Sequence, residues 1–199
     1  MTPITADELL NLYDYETVRD ARRRAVIALK AERRVTVGRS LSFVFENRET
    51  VWFQIQEMVR AERLVDAAKI AEEIAVYNTL LPRPGELAAT MFIEIEDPQR
   101  IKPVLDALLG IDTRDYIRLQ VGADVVVGAF ESGHSDEELG KLSAVHFVRF
   151  ALPPGVRRRF VEAPEAPESQ VALLVEHPNE RGRTVLSEAT RRRLAEDLA

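Results

Sequence analysis

From Asn47 to Leu81 the chain contains neither glycine nor proline, and its apolar residues recur at helical spacing. Val51, Ile55, Met58 and Val59 form one stripe, and Leu64, Ala67, Ala68, Ala71, Ile74, Ala75 and Leu81 continue the period until Pro82. Asn47 stands where an N-cap belongs, and Glu49 in the first turn suits the positive end of the helix dipole. The pattern predicts a central helix over about 49–80, either one long helix with a bend or two packed head to tail. Its alanine-rich second half calls for close contact with a neighbouring element.

Around this helix the period changes to two. Val35, Val37, Leu41, Phe43 and Phe45 alternate about Gly38, and LAATMFIEIE places Ala89, Met91, Ile93 and Ile95 on one face. YIRLQVGADVVVGAFE reads as a hairpin turning at Gly122, and SAVHFVRFAL, apolar on both faces, as a strand buried on both sides. The fold class expected is α+β. A largely antiparallel sheet (a meander around 115–151 plus strands near 41–46, 87–95 and 171–177) packs against the central helix and against N- and C-terminal helices. The 199 residues are expected to form a single domain. Within it, 1–34 is an N-terminal helical segment, opened by Thr5 and Glu8 as a capping box and carrying Val18, Ala21, Ala25, Val26 and Leu29 on one face. Residues 163–169 form a Pro-rich connector to the last strand and helix.

Composition removes several function classes. With no cysteine there is no disulfide scaffold, thiolate zinc site, self-held iron–sulfur cluster or cysteine nucleophile. No apolar run approaches the roughly 20 residues of a membrane span, and the acidic start MTPITADELLNLYDYE is unlike a signal peptide, so a cytoplasmic location is expected. A net charge of −6 argues against nucleic-acid binding. The arginine runs at 19–24, 156–160 and 190–194 are read as solvated helix faces. The chain has no phosphate-cradling glycine loop, no nucleophile elbow and no H-E-x-x-H motif.

What remains is polar side chains set among apolar ones. On the central helix Gln54, Gln56, Glu57 and Arg60 stand three or four apart, with Glu57 able to serve as acid, base or ligand. Glu46, Asn47 and Arg48 precede them, and Tyr77 and Asn78 follow beside Glu73. His146 and Arg149 lie in a strand read as interior, so His146 is a weak metal candidate and Arg149 needs a partner, Glu94 being one choice. The alternative is that strand ends expose both Arg149 and Glu94. These residues are candidates for a ligand- or partner-binding site between helix and sheet; no cofactor is predicted beyond a possible metal.

FENRETVWFQIQEMVRAE, EEIAVYNTLLP, ATMFIEIED and SAVHFVRF, in that order from Phe45 to Phe150, resemble a bacterial and archaeal family known as domain of unknown function 3501. EHPNE (Glu176–Glu180) resembles that family's C-terminal strand ending. The resemblance implies no catalytic residue. It implies a neighbourhood, genes for rubrerythrin and for an iron–sulfur oxidoreductase similar to heterodisulfide reductase or anaerobic glycerol-phosphate dehydrogenase subunits. The expected function is therefore an accessory or partner protein of a redox or oxidative-stress system, with a homodimer also possible. The alternative is a small-molecule- or metal-binding protein, even an enzyme, built on a polar pocket between the central helix and the sheet.

Overall fold

A computed structural model of the protein describes residues 1–133, 135–136, 139–162 and 170–199; the connector at 163–169 and His134 lie outside the described residues. The alternating strand segments form two sheets rather than one. In the first, β1 (Arg34–Val37), β2 (Leu41–Phe45), β3 (Glu86–Ile93), β9 (Val145–Ala151) and β6 (Ala129–Phe130) lie in that order. In the second the order is β11 (Glu180–Val185), β10 (Val171–His177), β4 (Ile117–Val121), β5 (Asp124–Val127). Short strands β7 (Ser135–Asp136) and β8 (Lys141–Leu142) pair separately, and every ladder is antiparallel. β11 escapes sequence reading because ERGRTV has almost no apolar alternation, as suits a strand at the edge of its sheet.

The inner faces of the two sheets share one apolar core that includes Phe43, Phe45, Met91, Leu119, Phe150 and Leu173. Two glycines let the sheets meet. Gly128 lies between β5 in the second sheet and β6 in the first, and a Cβ there would stand 2.7 Å from Val148 Cγ2. At the opposite seam Gly38 (φ +71°) turns β1 into β2 over the carboxylate of Glu180, which accepts from the Arg39 N–H at 2.6 Å and the Ser40 hydroxyl at 3.0 Å. Thr184 Oγ1 donates to the Thr36 carbonyl at 2.7 Å across that seam. Helices α5 (Pro154–Glu162) and α6 (Glu188–Leu198) insert Val156, Phe160, Leu194 and Leu198 into the same core.

The outer face of the first sheet is covered by helices. The central segment is a pair of helices, the second of the two expected forms, with α2 (Arg48–Ala61) and α3 (Ala67–Asn78) lying side by side rather than end to end. Arg63 takes a left-handed conformation (φ 52°), and Asp66 then caps α3 by accepting from the Ala68 and Lys69 N–H groups. Arg48 in the first turn of α2 and Asn78 at the end of α3 both bond residues 2–4, so the helices run antiparallel, with those two ends together. Val51, Ile55, Val59, Ile74, Leu80 and Leu81 form a second core, into which Ile4 is inserted and against which Phe147 packs.

Helix α1 (Leu12–Glu32) is capped by Asn11, whose side chain accepts from the Asp14 N–H. It buries Tyr15 and Val26, whereas Val18, Ala21 and Ala25 are exposed, contrary to the stripe read from the sequence. Its end is held by Arg33, only 1% exposed, which donates to the Phe45 carbonyl at 2.8 Å and pairs with Asp197 of α6. Helix α4 (Ile101–Ala107) leads to Leu108 and Ile111, both in the main core.

Candidate functional site

The polar residues of α2 and α3 divide among several tasks. Gln56, fully buried, accepts from the Leu10 N–H and donates to the Leu10 carbonyl, each at 2.9 Å. Asn78 does the same with Ile4, again at 2.9 Å for both bonds. Arg48 donates to the Thr2 carbonyl at 3.0 Å and pairs with Glu8 at 2.6 Å, holding that carboxyl at about 2. Trp52 Nε1 donates to the Glu8 carbonyl at 3.1 Å. Asn47 caps α2, its side chain accepting from the Thr50 N–H at 3.0 Å.

Glu57 turns toward α1 rather than toward the sheet. Arg19 grips it with two bonds of 2.8 Å, the Tyr15 hydroxyl donates to it at 2.8 Å, and Arg60 Nε lies 3.5 Å away. Chiefly through the Arg19 bonds, and against the effect of burial, its carboxyl is lowered from 4.5 to about 2. A carboxylate held ionised this firmly is a poor proton acceptor near neutrality. Burial, followed by the bond to Glu57, pushes the Tyr15 phenol well up. Arg60 also reaches Glu16 at 3.4 Å. Tyr77 is half-buried, and burial, then Glu73 and Glu62, raise its phenol.

Between α2 and the first sheet lies a compact polar nest. Glu46, 3% exposed, accepts from the hydroxyls of Thr50 and Thr90 (the latter at 2.6 Å) and from Gln54 Nε2 at 3.1 Å. These are neutral donors around a buried carboxylate. A gap of about 10 Å³ separates Glu46 from Arg149 along Ala88 and Phe147, a space at the lower limit for one water molecule.

Arg149 and His146 do not share a site. Three residues apart on β9, they point to opposite faces of the sheet, a consequence of the two-residue strand period. Arg149 emerges on the helix side, donates to the Leu81 carbonyl at 3.1 Å and to the Thr79 carbonyl, and lies near Glu86 (3.5 Å) and Glu131 (3.4 Å). The expected pairing with Glu94 is replaced: Glu94 binds Arg34 at 2.7 Å and the Ser42 hydroxyl at 2.6 Å. His146, on the core side, has Nε2 2.7 Å from the Ser143 carbonyl and Nδ1 3.3 Å from Asp112, whose carboxylate also accepts from the Ser135 hydroxyl. Gln54, Gln56, Glu57 and Arg60 therefore do not converge on His146. Among the described residues no three histidine, aspartate or glutamate side chains stand close enough to hold a metal ion.

Sequence reasoning missed Tyr15, Arg19, Ile4 and Leu10, the partners of those polar groups. It also misread one arginine run: Arg191, 5% exposed, donates to the Phe160 and Arg159 carbonyls at the end of α5. Larger spaces lie at the corner formed by Pro82–Gly85. On one side an open groove of about 770 Å³ is lined by Met1, Asn78, Arg83, Glu131 and Arg149. On the other, one of about 460 Å³ is lined by Leu152, Arg157, Arg158 and Val161, and Pro84 borders both.

The profile of the family DUF3501, described as a protein of unknown function, matches residues 3–198. The chain belongs to the DUF3501 family. The match reaches beyond the Phe45–Phe150 blocks to take in both the N-terminal segment and α6. Among solved structures, the DUF3501 chain is similar to a novel protein of unknown function from Burkholderia pseudomallei K96243. The two share 30% identity over 100% of each chain, with a TM-score of 0.89. No curated protein matches the chain. No helix among the described residues is long and apolar enough to cross a membrane.

Proposed function

We propose that this protein is a non-catalytic, cytoplasmic accessory protein that docks onto a redox partner of the rubrerythrin or iron–sulfur oxidoreductase class. The supporting observation is how the candidate polar groups are used. Gln56, Asn78 and Arg48 hold the N-terminal segment, Glu57 is locked by Arg19, and Arg149 ties the end of α3 to the sheet. Open space remains at the Pro84 corner, where Arg83 and Arg158 are exposed and suit an acidic partner surface. The class of partner comes from the gene neighbourhood that the family resemblance implies.

The test is affinity purification of the tagged chain at native expression, followed by identification of retained proteins. Retention of such a redox protein, lost on combining Arg83→Glu with Arg158→Glu, is the expected result. A clean monomer with no redox protein retained would overturn the reading.

The nest at Glu46 favours a second reading, in which a small polar ligand or a cation is held between α2 and the sheet. Oxygen ligands from Glu46, Thr50 and Thr90 suit a hard cation. Native mass spectrometry of the wild type and of Glu46→Gln checks it: a mass adduct lost in the variant supports it, and identical spectra reject it.

A further inference from the structure

Residues 2–10 lie across the α2–α3 hairpin, and the hairpin grips mainly their backbone. Arg48 binds the Thr2 carbonyl, Asn78 both backbone groups of Ile4, Trp52 the Glu8 carbonyl and Gln56 both backbone groups of Leu10. Three side chains of the segment are also engaged, Leu9 packing half-buried against the helix-side core. Ile4, 1% exposed, fills a socket in the helix-side core, and Glu8 pairs with Arg48. Thr2, Pro3, Thr5, Ala6 and Asp7 are exposed. The segment turns through a short 3₁₀ helix at Ala6–Glu8, closed by Thr5 and Glu8. Its backbone bonds to the hairpin are indifferent to side-chain identity, so a chain that makes this turn with an aliphatic residue four places ahead of a carboxylate meets the same demands.

The attachment is also local. With one fully buried side chain and otherwise half-buried or exposed bonds, the segment can open without unfolding the two cores. Opening would uncover the apolar socket, which a replacement peptide would cover again while restoring the paired bonds to Gln56. At the Glu8 end an open space of about 380 Å³ is bordered by Glu8, Arg22, Arg48, Glu49 and Trp52, with the Arg22 guanidinium 5.4 Å from the indole. Once Glu8 leaves, two arginines face one glutamate there, and a replacement carboxylate restores the pairing with Arg48.

We propose that the α2–α3 groove is a peptide receptor, occupied in this structure by the chain's own residues 2–10. Its ligand in trans is an acidic segment of a partner protein that makes the same short turn, with an aliphatic anchor four residues before an aspartate or glutamate. The site adjoins the larger groove at the Pro84 corner, which Pro3 and Asn78 also border, but it does not depend on a redox partner.

The experiment titrates full-length protein into a fluorescent peptide of residues 1–11 and follows anisotropy, with sedimentation run at the same concentrations. The wild-type chain competes with its own segment, so Ile4→Ala in the protein, which weakens the resident competitor, should tighten peptide binding roughly tenfold or more. Arg48→Glu should prefer a peptide carrying Glu8→Lys over the native peptide, a reversal that general loosening of the fold would not produce. Absence of peptide binding by both variants, or binding to Arg48→Glu without that reversal, overturns the receptor. A dimer that free peptide dissolves overturns the partner assignment in favour of segment exchange between two copies of this chain.

Discussion

Gln56 and Leu10, 46 residues apart, exchange two hydrogen bonds of 2.9 Å, the side-chain amide taking the place of a neighbouring strand's peptide group. Asn78 repeats the arrangement 74 residues from its partner, Ile4. Uncharged amides among the apolar residues of these helices are thus anchors for chain that would otherwise have no hydrogen-bonding neighbour. An amide suits this position because it alone offers a donor and an acceptor side by side without a charge to bury.

Gln56→Leu should destabilise the protein by about 1–3 kcal/mol, because it leaves the Leu10 N–H and carbonyl without partners. Asn78→Ala should act alike at Ile4. The double variant should lose less than the sum, since either change frees the same segment. Urea denaturation gives the energies, and hydrogen exchange should show faster exchange at Ile4 and Leu10 while the strand amides stay protected.

Glu57 should make the protein acid-sensitive. Its folded pKa, about 2, lies below the ordinary 4.5, so its contribution is present above about 4.5 and is lost as pH falls toward 2. The depression corresponds to roughly 3.4 kcal/mol, which partial exposure reduces to on the order of 2 kcal/mol. Glu57→Gln should lower stability at neutral pH and flatten the stability profile between pH 4.5 and 2. Glu8 is also held at about 2 by Arg48, so adding Glu8→Gln to that variant should reduce the remaining slope further. Denaturation midpoints across that pH range check both statements.

Asp197→Ala should cost about 3–5 kcal/mol, because Arg33 would keep its buried charge without a carboxylate. Burial pushes the Asp197 carboxyl up while Arg33 pulls it down, so the pair is needed chiefly to avoid an isolated charge. Replacing both with Arg33→Met and Asp197→Leu should recover much of the loss. A double variant less stable than Asp197→Ala would contradict this account.

Gly128→Ala should destabilise by about 1–3 kcal/mol through overpacking. The added methyl meets Val148 Cγ2 at 2.7 Å, Phe150 Cε1 at 3.1 Å and the Ile117 carbonyl at 3.2 Å, where the chain passes from one sheet to the other. Gly155→Ala, with nothing within 4 Å of the new carbon, is the control. Thermal melts of both variants provide the comparison.

Much of the architecture was legible because it rests on local periodicity. Strand β10 coincides with the expected 171–177, the turn at Gly122 lies between β4 and β5, and Asn47 caps α2. That the central segment divides into two helices was one of the two readings open from the sequence; that they fold back as a hairpin was not legible, because Asp66, the decisive cap, sits in a run with unbroken apolar spacing. The separation of His146 from Arg149 could have been read from their odd spacing on one strand. Tyr15 and Arg19 as partners of Glu57 could not, since nothing local says which helix will lie beside α2.

By itself the sequence determined where most helical and strand segments lie and the apolar faces of most strands, because backbone hydrogen bonding and side-chain direction repeat over a few residues; the buried face of α1 it did not. Tertiary structure decided that the strands form two sheets joined at Gly128 and Gly38, that Arg33 and Arg191 are buried while neighbouring arginines are not, and that Gln56 and Asn78 grip the N-terminal segment. Each of those outcomes depends on groups distant in the chain meeting at hydrogen-bond range. A side chain's desolvation and pairing are set by such neighbours, which spacing along the chain does not specify.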